Sequence, residues 1–134
     1  PFPGRVQIWG KWRSHALIID HLPRIRVRKT RWLRKYDAIG SKIQELALDA
    51  SERPVDSRAK LTDRGCNLEL VKLAVGDDRS CWWAFAFEAF GPIDSVERTL
   101  ERTVACSGRR NPPALEEGSE WAYPQWLSTL AAHP

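Results

Sequence analysis

The sequence has 134 residues, a length typical of one domain, and its 43% hydrophobic content is enough to build a core and excludes a disordered tail. No apolar run approaches the roughly 18 residues of a membrane-spanning helix, and three cysteines are too few for a disulfide-rich scaffold. We therefore expect a single domain over residues 1–134 with no membrane partner. Because the chain begins at Pro1 and contains no methionine, we also expect a fragment or a processed chain.

The net charge of +4 is unevenly distributed along the chain. Residues 1–36 hold ten basic side chains and one acidic side chain, a net charge of +9, whereas residues 37–134 carry a net charge of −5. A basic end beside an acidic remainder is typical of a chain that meets a polyanion at one end. The alternative is that the two parts neutralise each other across one surface.

The first predicted elements are short strands. Residues 5–9 alternate before Gly10, and residues 15–22 are apolar at their centre and stop before Pro23, which predicts a second, buried strand. The next strand, over residues 24–33, has a basic face because a period of two places Arg24, Arg26 and Arg28 on one side. Successive arginines would lie about 6.6–6.8 Å apart, close to the phosphate step of an extended polyanion.

The region after this strand has two interpretations. Apolar residues at helical spacing, with Asp37 as a cap, predict a helix over residues 37–50. A strand over residues 42–48 is the alternative. Residues 51–59 are polar and contain a proline, which predicts a loop.

A β-hairpin is predicted between Asn67 and Phe90. Residues 67–75 and 81–90 are rich in strand-forming side chains, and a five-residue loop of turn-forming residues separates them. Pairing Val75 with Cys81 makes one face almost entirely apolar and therefore core. In that register Glu69 and Glu88 point to opposite faces, so they could not share a metal ion.

A helix is predicted after the hairpin, capped by Asp94 with Glu97 three residues later, following an apolar stripe to about Cys106 and ending near Gly108. Residues 109–120 predict a loop. Residues 121–132 predict a docked C-terminal segment, in which Pro124 opens a short final helix.

The three cysteines predict free thiols. Cys66 and Cys81 lie at opposite ends of the hairpin and Cys106 lies on the following helix, so we expect no disulfide between them. Free thiols are typical of a reducing, cytoplasmic setting. The spacing of His15 and His21 fits no common metal site, and we expect no metal and no cofactor.

Basic and aromatic residues near the start of the chain indicate a phosphate- or nucleic-acid-binding site. Guanidinium groups bind phosphate in a bidentate manner, and bases stack on indole rings. The candidate site comprises Arg24, Arg26, Arg28, Lys29, Arg31, Trp9, Lys11, Trp12 and Trp32. The alternative is an exposed strand kept apart from other chains by its charge, with tryptophans that build the core.

The order of motifs from Gly65 to Leu127 resembles the late strands and tail of the CYTH-like triphosphate-tunnel proteins. The motifs are Leu68-Glu69-Leu70, Phe87-Glu88-Ala89-Phe90-Gly91, the capped helix and Tyr123-Pro124-Gln125-Trp126-Leu127. The resemblance implies an antiparallel barrel whose polar interior holds a triphosphate and a divalent metal, with Glu69, Lys72 and Glu88 as interior groups. That family opens with a strand of alternating glutamates, whereas the alternating strand here carries arginines, which cannot hold magnesium.

Taken together, the patterns predict an α+β fold, an antiparallel sheet with a barrel-like form as one alternative, and one or two packed helices. The leading hypothesis is a non-catalytic module that binds nucleic acid or another phosphate-rich polyanion. One alternative is a CYTH-like protein that binds or hydrolyses triphosphate with a divalent metal. Another is a subunit whose basic end docks an acidic protein partner.

Overall fold

The computed structural model describes residues 5–10, 16, 18, 25–56, 63–76, 81–108 and 120–131. Within them lie four strands and two helices, in the order β1 (Val27–Ile39), β2 (Lys42–Leu46), β3 (Gly65–Val75), β4 (Cys81–Phe90), α1 (Val96–Gly108) and α2 (Tyr123–Ala131). This arrangement confirms the α+β class. Neither of these two helices is long and apolar enough to cross a membrane.

The four strands form one antiparallel sheet in the order β2-β1-β3-β4. Over the described residues this sheet is open, with β2 and β4 at its edges, so a barrel-like form stays a prediction. The hairpin between β1 and β2 pairs Ile39 with Lys42 and turns at Gly40, whose φ of 54° suits glycine.

The helix predicted over residues 37–50 is wrong, and the alternative strand is confirmed as β2. β1 continues to Ile39 because it pairs with β3 along eleven residues, down to Asp37 opposite Gly65. Cross-strand pairing of this length outweighs a local helical spacing that contains a glycine. Beyond β2, Asp49 accepts hydrogen bonds from the amides of Ser51 and Arg53, which confirms the loop over its described part, residues 51–56.

The predicted hairpin is confirmed as β3 and β4, but its predicted register is wrong by one residue. Ala74, and not Val75, lies opposite Cys81. Since successive strand residues point to opposite faces, the shift places Trp83 and Phe85 on the same face as Leu70 and Lys72. It also places Glu69 and Glu88 on one shared face, which corrects the prediction that they point apart.

Most of the core lies where α1 covers one end of the sheet, and Leu73 is buried separately on the opposite face at the other end. Tyr36 and Cys66 are almost fully buried under α1, and the Cys66 thiol donates a hydrogen bond to the carbonyl oxygen of Asn67 at 3.6 Å. The buried residues of α1 are Thr99, Thr103 and Ser107, whereas the predicted apolar stripe is only half-buried along α1. Small side chains at this contact allow the helix to lie close to the sheet.

The start of α1 differs by one residue from the prediction, and its end agrees with it. The carbonyl of Ser95 accepts the amide of Thr99 at 3.0 Å, which makes Ser95 and not Asp94 the residue that precedes the first helical turn. The helix ends at Gly108, as predicted.

β1–β4 and α1 form one compact unit, while residues 5–10 and α2 belong to a second compact unit. In the second unit, Arg5–Gly10 has no regular secondary structure, so the strand predicted there is wrong. α2 begins at Tyr123, one residue before Pro124, and the amide of Trp126 donates a hydrogen bond to the carbonyl of Ala122, so the short final helix is confirmed. The expectation of a single domain stays a prediction.

The other predictions fall largely on residues that the structure does not describe. Of the buried strand predicted over residues 15–22, only residues 16 and 18 are described, and Ile18 is 79% exposed rather than buried. The predicted loop is described only at residue 120. All three cysteines are free thiols, as predicted.

Candidate functional site

The two faces of the sheet carry different chemistry. One face receives α1 at the end that holds Tyr36 and Cys66. At its other end this same face is exposed and carries aromatic and basic side chains. We call this part the aromatic face and define it by Arg28, Thr30 and Trp32 of β1, Leu70 and Lys72 of β3, and Trp83 of β4.

Two tryptophans dominate the aromatic face. The indoles of Trp32 and Trp83 are stacked, with ring centroids 5.8 Å apart and planes inclined by 24°. Because β3 lies between β1 and β4, the two rings meet above β3. They are nevertheless 51% and 59% exposed, and Leu70 beside them is also exposed. An apolar cluster that stays in contact with water is typical of a binding surface.

Two cations border the stacked indoles. The ammonium of Lys72 lies 5.9 Å from the centroid of the Trp83 ring, within the range of a cation–π contact. Arg28 is exposed and lies on the same face of β1 as Trp32, with Thr30 between them. Within the part of the chain that the structure describes, neither Arg28 nor Lys72 forms an ion pair. Their positive charges are therefore presented to solvent next to aromatic surface.

The opposite face carries a predicted binding residue that the protein itself neutralises. Arg31 forms ion pairs with Glu52 and with Glu69, the latter at 3.0 Å. The hydrogen bonds that Arg31 donates to Glu52 raise the pKa of Arg31 against the lowering effect of burial, and the negative charge of Glu69 raises it further. Lys29 lies on this face too. Arg31 therefore links β3 to the loop after β2 and does not share a surface with Trp32.

Among the other predicted site residues, Arg24, Lys11 and Trp12 lie outside the described residues. Arg26 directly precedes β1 and is exposed. Trp9 belongs to the second unit, where its indole donates a hydrogen bond to Gln7 at 3.1 Å. Of the predicted set, the structure thus brings together Arg28 and Trp32.

The three residues implied by the CYTH-like resemblance divide between the two faces. Lys72 belongs to the aromatic face, whereas Glu69 and Glu88 lie together on the opposite face. Glu69 is half-buried and engaged by Arg31. Over the described residues, no group of three or more histidine, cysteine, aspartate or glutamate side chains lies close enough to hold a metal ion.

Sequence reasoning missed Trp83, and it missed that Lys72 lies beside it. The pattern Trp83, Phe85, Phe87 was visible as a period of two, but the assumed register assigned these rings to a closed core. Pairing β4 one residue further along β3 would have placed Trp83 directly opposite Lys72 and on the same face as Trp32. The sequence did not specify the length of the connection between β3 and β4, which sets the register of the two strands.

No protein-family model, no curated protein and no solved structure matches this chain.

Proposed function

We propose that the aromatic face binds single-stranded nucleic acid, without catalysing a reaction. Trp32 and Trp83 would stack on bases, and Arg28 and Lys72 would contact the phosphate backbone. The observation that carries this proposal is the exposed stack of the two indoles, 5.8 Å apart, beside cations that form no ion pair in the described part of the chain. Every base has a ring face, so such a surface accepts single strands with little regard to sequence.

The proposed contacts set the expected strength and salt dependence of binding. Stacking contributes about 1–3 kcal/mol per base. Each phosphate neutralised on a single strand contributes a slope of about −0.7 to the dependence of log K on log salt concentration. Arg28 and Lys72 together would therefore give a slope of about −1.4. Further cations outside the described residues would make the slope steeper.

The proposal is tested by fluorescence anisotropy of a labelled oligothymidylate, titrated with the full chain at several salt concentrations. Trp83→Ala is expected to weaken binding about tenfold, because one stacking surface is removed. The matched control is Trp82→Ala, since Trp82 is the neighbouring exposed tryptophan on the opposite face of β4. Equal losses for both variants, or affinity that does not change with salt, would contradict the proposal.

A second candidate function is favoured by one observation on the opposite face. Glu69 and Glu88 lie there together with Arg31 and Lys35, which is the mixture of acids and bases that a triphosphate with a divalent metal would need. This reading follows the CYTH-like resemblance and predicts metal-dependent release of phosphate from tripolyphosphate, lost in Glu88→Gln. Absence of turnover with tripolyphosphate and nucleoside triphosphates would remove it. If the chain instead binds an acidic protein, binds no oligonucleotide and turns over no triphosphate, both candidate functions fail.

A further inference from the structure

We infer that Trp32 and Trp83 form a clamp that receives one nucleobase between their indoles, with Leu70 and Lys72 beneath it. This inference rests on the proposed function and makes it more specific. It states that the two rings act on the same base, instead of offering separate stacking surfaces to two bases.

The positions of the two tryptophans in the sheet leave room for such a clamp. β1 and β4 are separated by β3, which places them about 9.5 Å apart. Trp83 is also offset along the strands, because Trp32 lies in the row of Leu70 and Phe85 and Trp83 lies in the next row. The rings reach a separation of 5.8 Å only because both side chains lean toward each other over β3.

A base between two indoles requires two stacking intervals of about 3.4 Å, or ring centroids about 7 Å apart. This separation is greater than the observed 5.8 Å and smaller than the spacing of the strands that carry the rings. The clamp can therefore open by rotation of the two exposed side chains, without movement of the backbone. In the free protein the indoles contact each other, because this contact removes apolar surface from water.

The floor of the clamp restricts the chemistry of its ligand. Leu70 and Lys72 of β3 lie between the two rings in the sheet. Leu70 offers apolar contact to the edge of a base, and the ammonium of Lys72 attracts the phosphate attached to it. A positively charged base would be repelled by Lys72. The clamp therefore suits a neutral base that carries a phosphate, in other words an ordinary nucleotide of a single strand.

The experiment uses three oligonucleotides of six residues, which are all-thymine, all-abasic, and abasic with a single thymine. With the unmodified chain, we expect the single thymine to restore most of the affinity that separates the abasic from the all-thymine strand, roughly a tenfold gain. In both Trp32→Ala and Trp83→Ala this gain should be largely lost, since each variant removes one side of the clamp. Trp32→Phe and Trp83→Phe should keep part of the gain and show that the fold is intact.

Separate stacking surfaces give a different result. One thymine would then restore only about half of the difference in binding free energy, and either alanine variant would leave the gain unchanged because the remaining tryptophan could bind the base. That result overturns the clamp and leaves the proposed function in place. If the unmodified chain does not bind the all-thymine strand, the proposed function itself fails.

Discussion

Arg31 of β1 donates a hydrogen bond from Nη1 to Oε1 of Glu69 on β3 at 3.0 Å, and the same guanidinium binds Glu52 in the loop after β2. One cation of the most basic segment of the sequence thus connects the sheet to a loop and stabilises the fold. This relationship distinguishes arginines that stabilise the fold from those that are available to a ligand.

A pair of variants tests this distinction. Arg31→Ala is expected to lower the free energy of unfolding by about 0.5–1 kcal/mol, a small value because the pair is partly exposed. It should leave affinity for oligothymidylate nearly unchanged. Arg28→Ala should do the reverse, with unchanged stability in urea and a slope of log K on log salt reduced by about 0.7. Equal effects of the two variants on binding would contradict the proposed contact of Arg28 with phosphate.

Gly65 is required by close packing between neighbouring strands. A Cβ added there would collide with the carbonyl oxygen of Tyr36 and would lie 2.9 Å from the ring of Phe90. Gly65→Ala is therefore expected to lower the free energy of unfolding by about 3 kcal/mol, measured by urea denaturation. The matched control is Gly40→Ala, where the added Cβ meets nothing within 4 Å and the cost of about 1 kcal/mol comes from the positive φ alone. A cost no larger than that of the control would show that the strands can separate at this point.

Asp37 makes stability depend on pH. Burial raises the pKa of its carboxyl above the ordinary value, against the opposing effects of the Ala38 amide and Lys35. The folded protein therefore binds this proton more readily than the unfolded chain, and stability falls as pH rises from the unfolded pKa through the folded pKa. Asp37→Asn removes the buried charge. Compared with the unmodified chain, the variant should therefore be relatively more stable at pH 7 than at pH 3. The same difference at both pH values would show that the charge of Asp37 is not a source of destabilisation.

Cys66 and Cys81 should react at very different rates. Burial raises the pKa of the Cys66 thiol to about 12, and this residue lies under α1, whereas Cys81 is exposed at the start of β4. With iodoacetamide at pH 7.5, peptide mass spectrometry should find Cys81 modified first and Cys66 modified only after unfolding. Early modification of Cys66 would indicate that α1 leaves the sheet under native conditions.

The sequence by itself determined the elements whose pattern is local. The two strands of the hairpin and the helix ending at Gly108 follow from side-chain periodicity and turn residues, and they agree with the structure. The strand predicted over residues 24–33 is confirmed from Val27 onward as part of β1, whereas Arg26 precedes the strand and Arg24 lies outside the described residues. Arg28 and Trp32 could be assigned to one face for the same reason, since two residues of a strand separated by an even number share a face.

The tertiary structure decided which residues of neighbouring strands lie opposite each other. Periodicity within a strand does not specify its partner, so a shift of one residue between β3 and β4 exchanged the faces of Trp83, Phe85, Phe87 and Glu88. The pairing of Arg31 with Glu52 and Glu69, and the choice of strand over helix after Asp37, likewise depend on contacts between distant segments. The candidate site exists only because three strands place Trp32, Lys72 and Trp83 side by side, which no local pattern encodes.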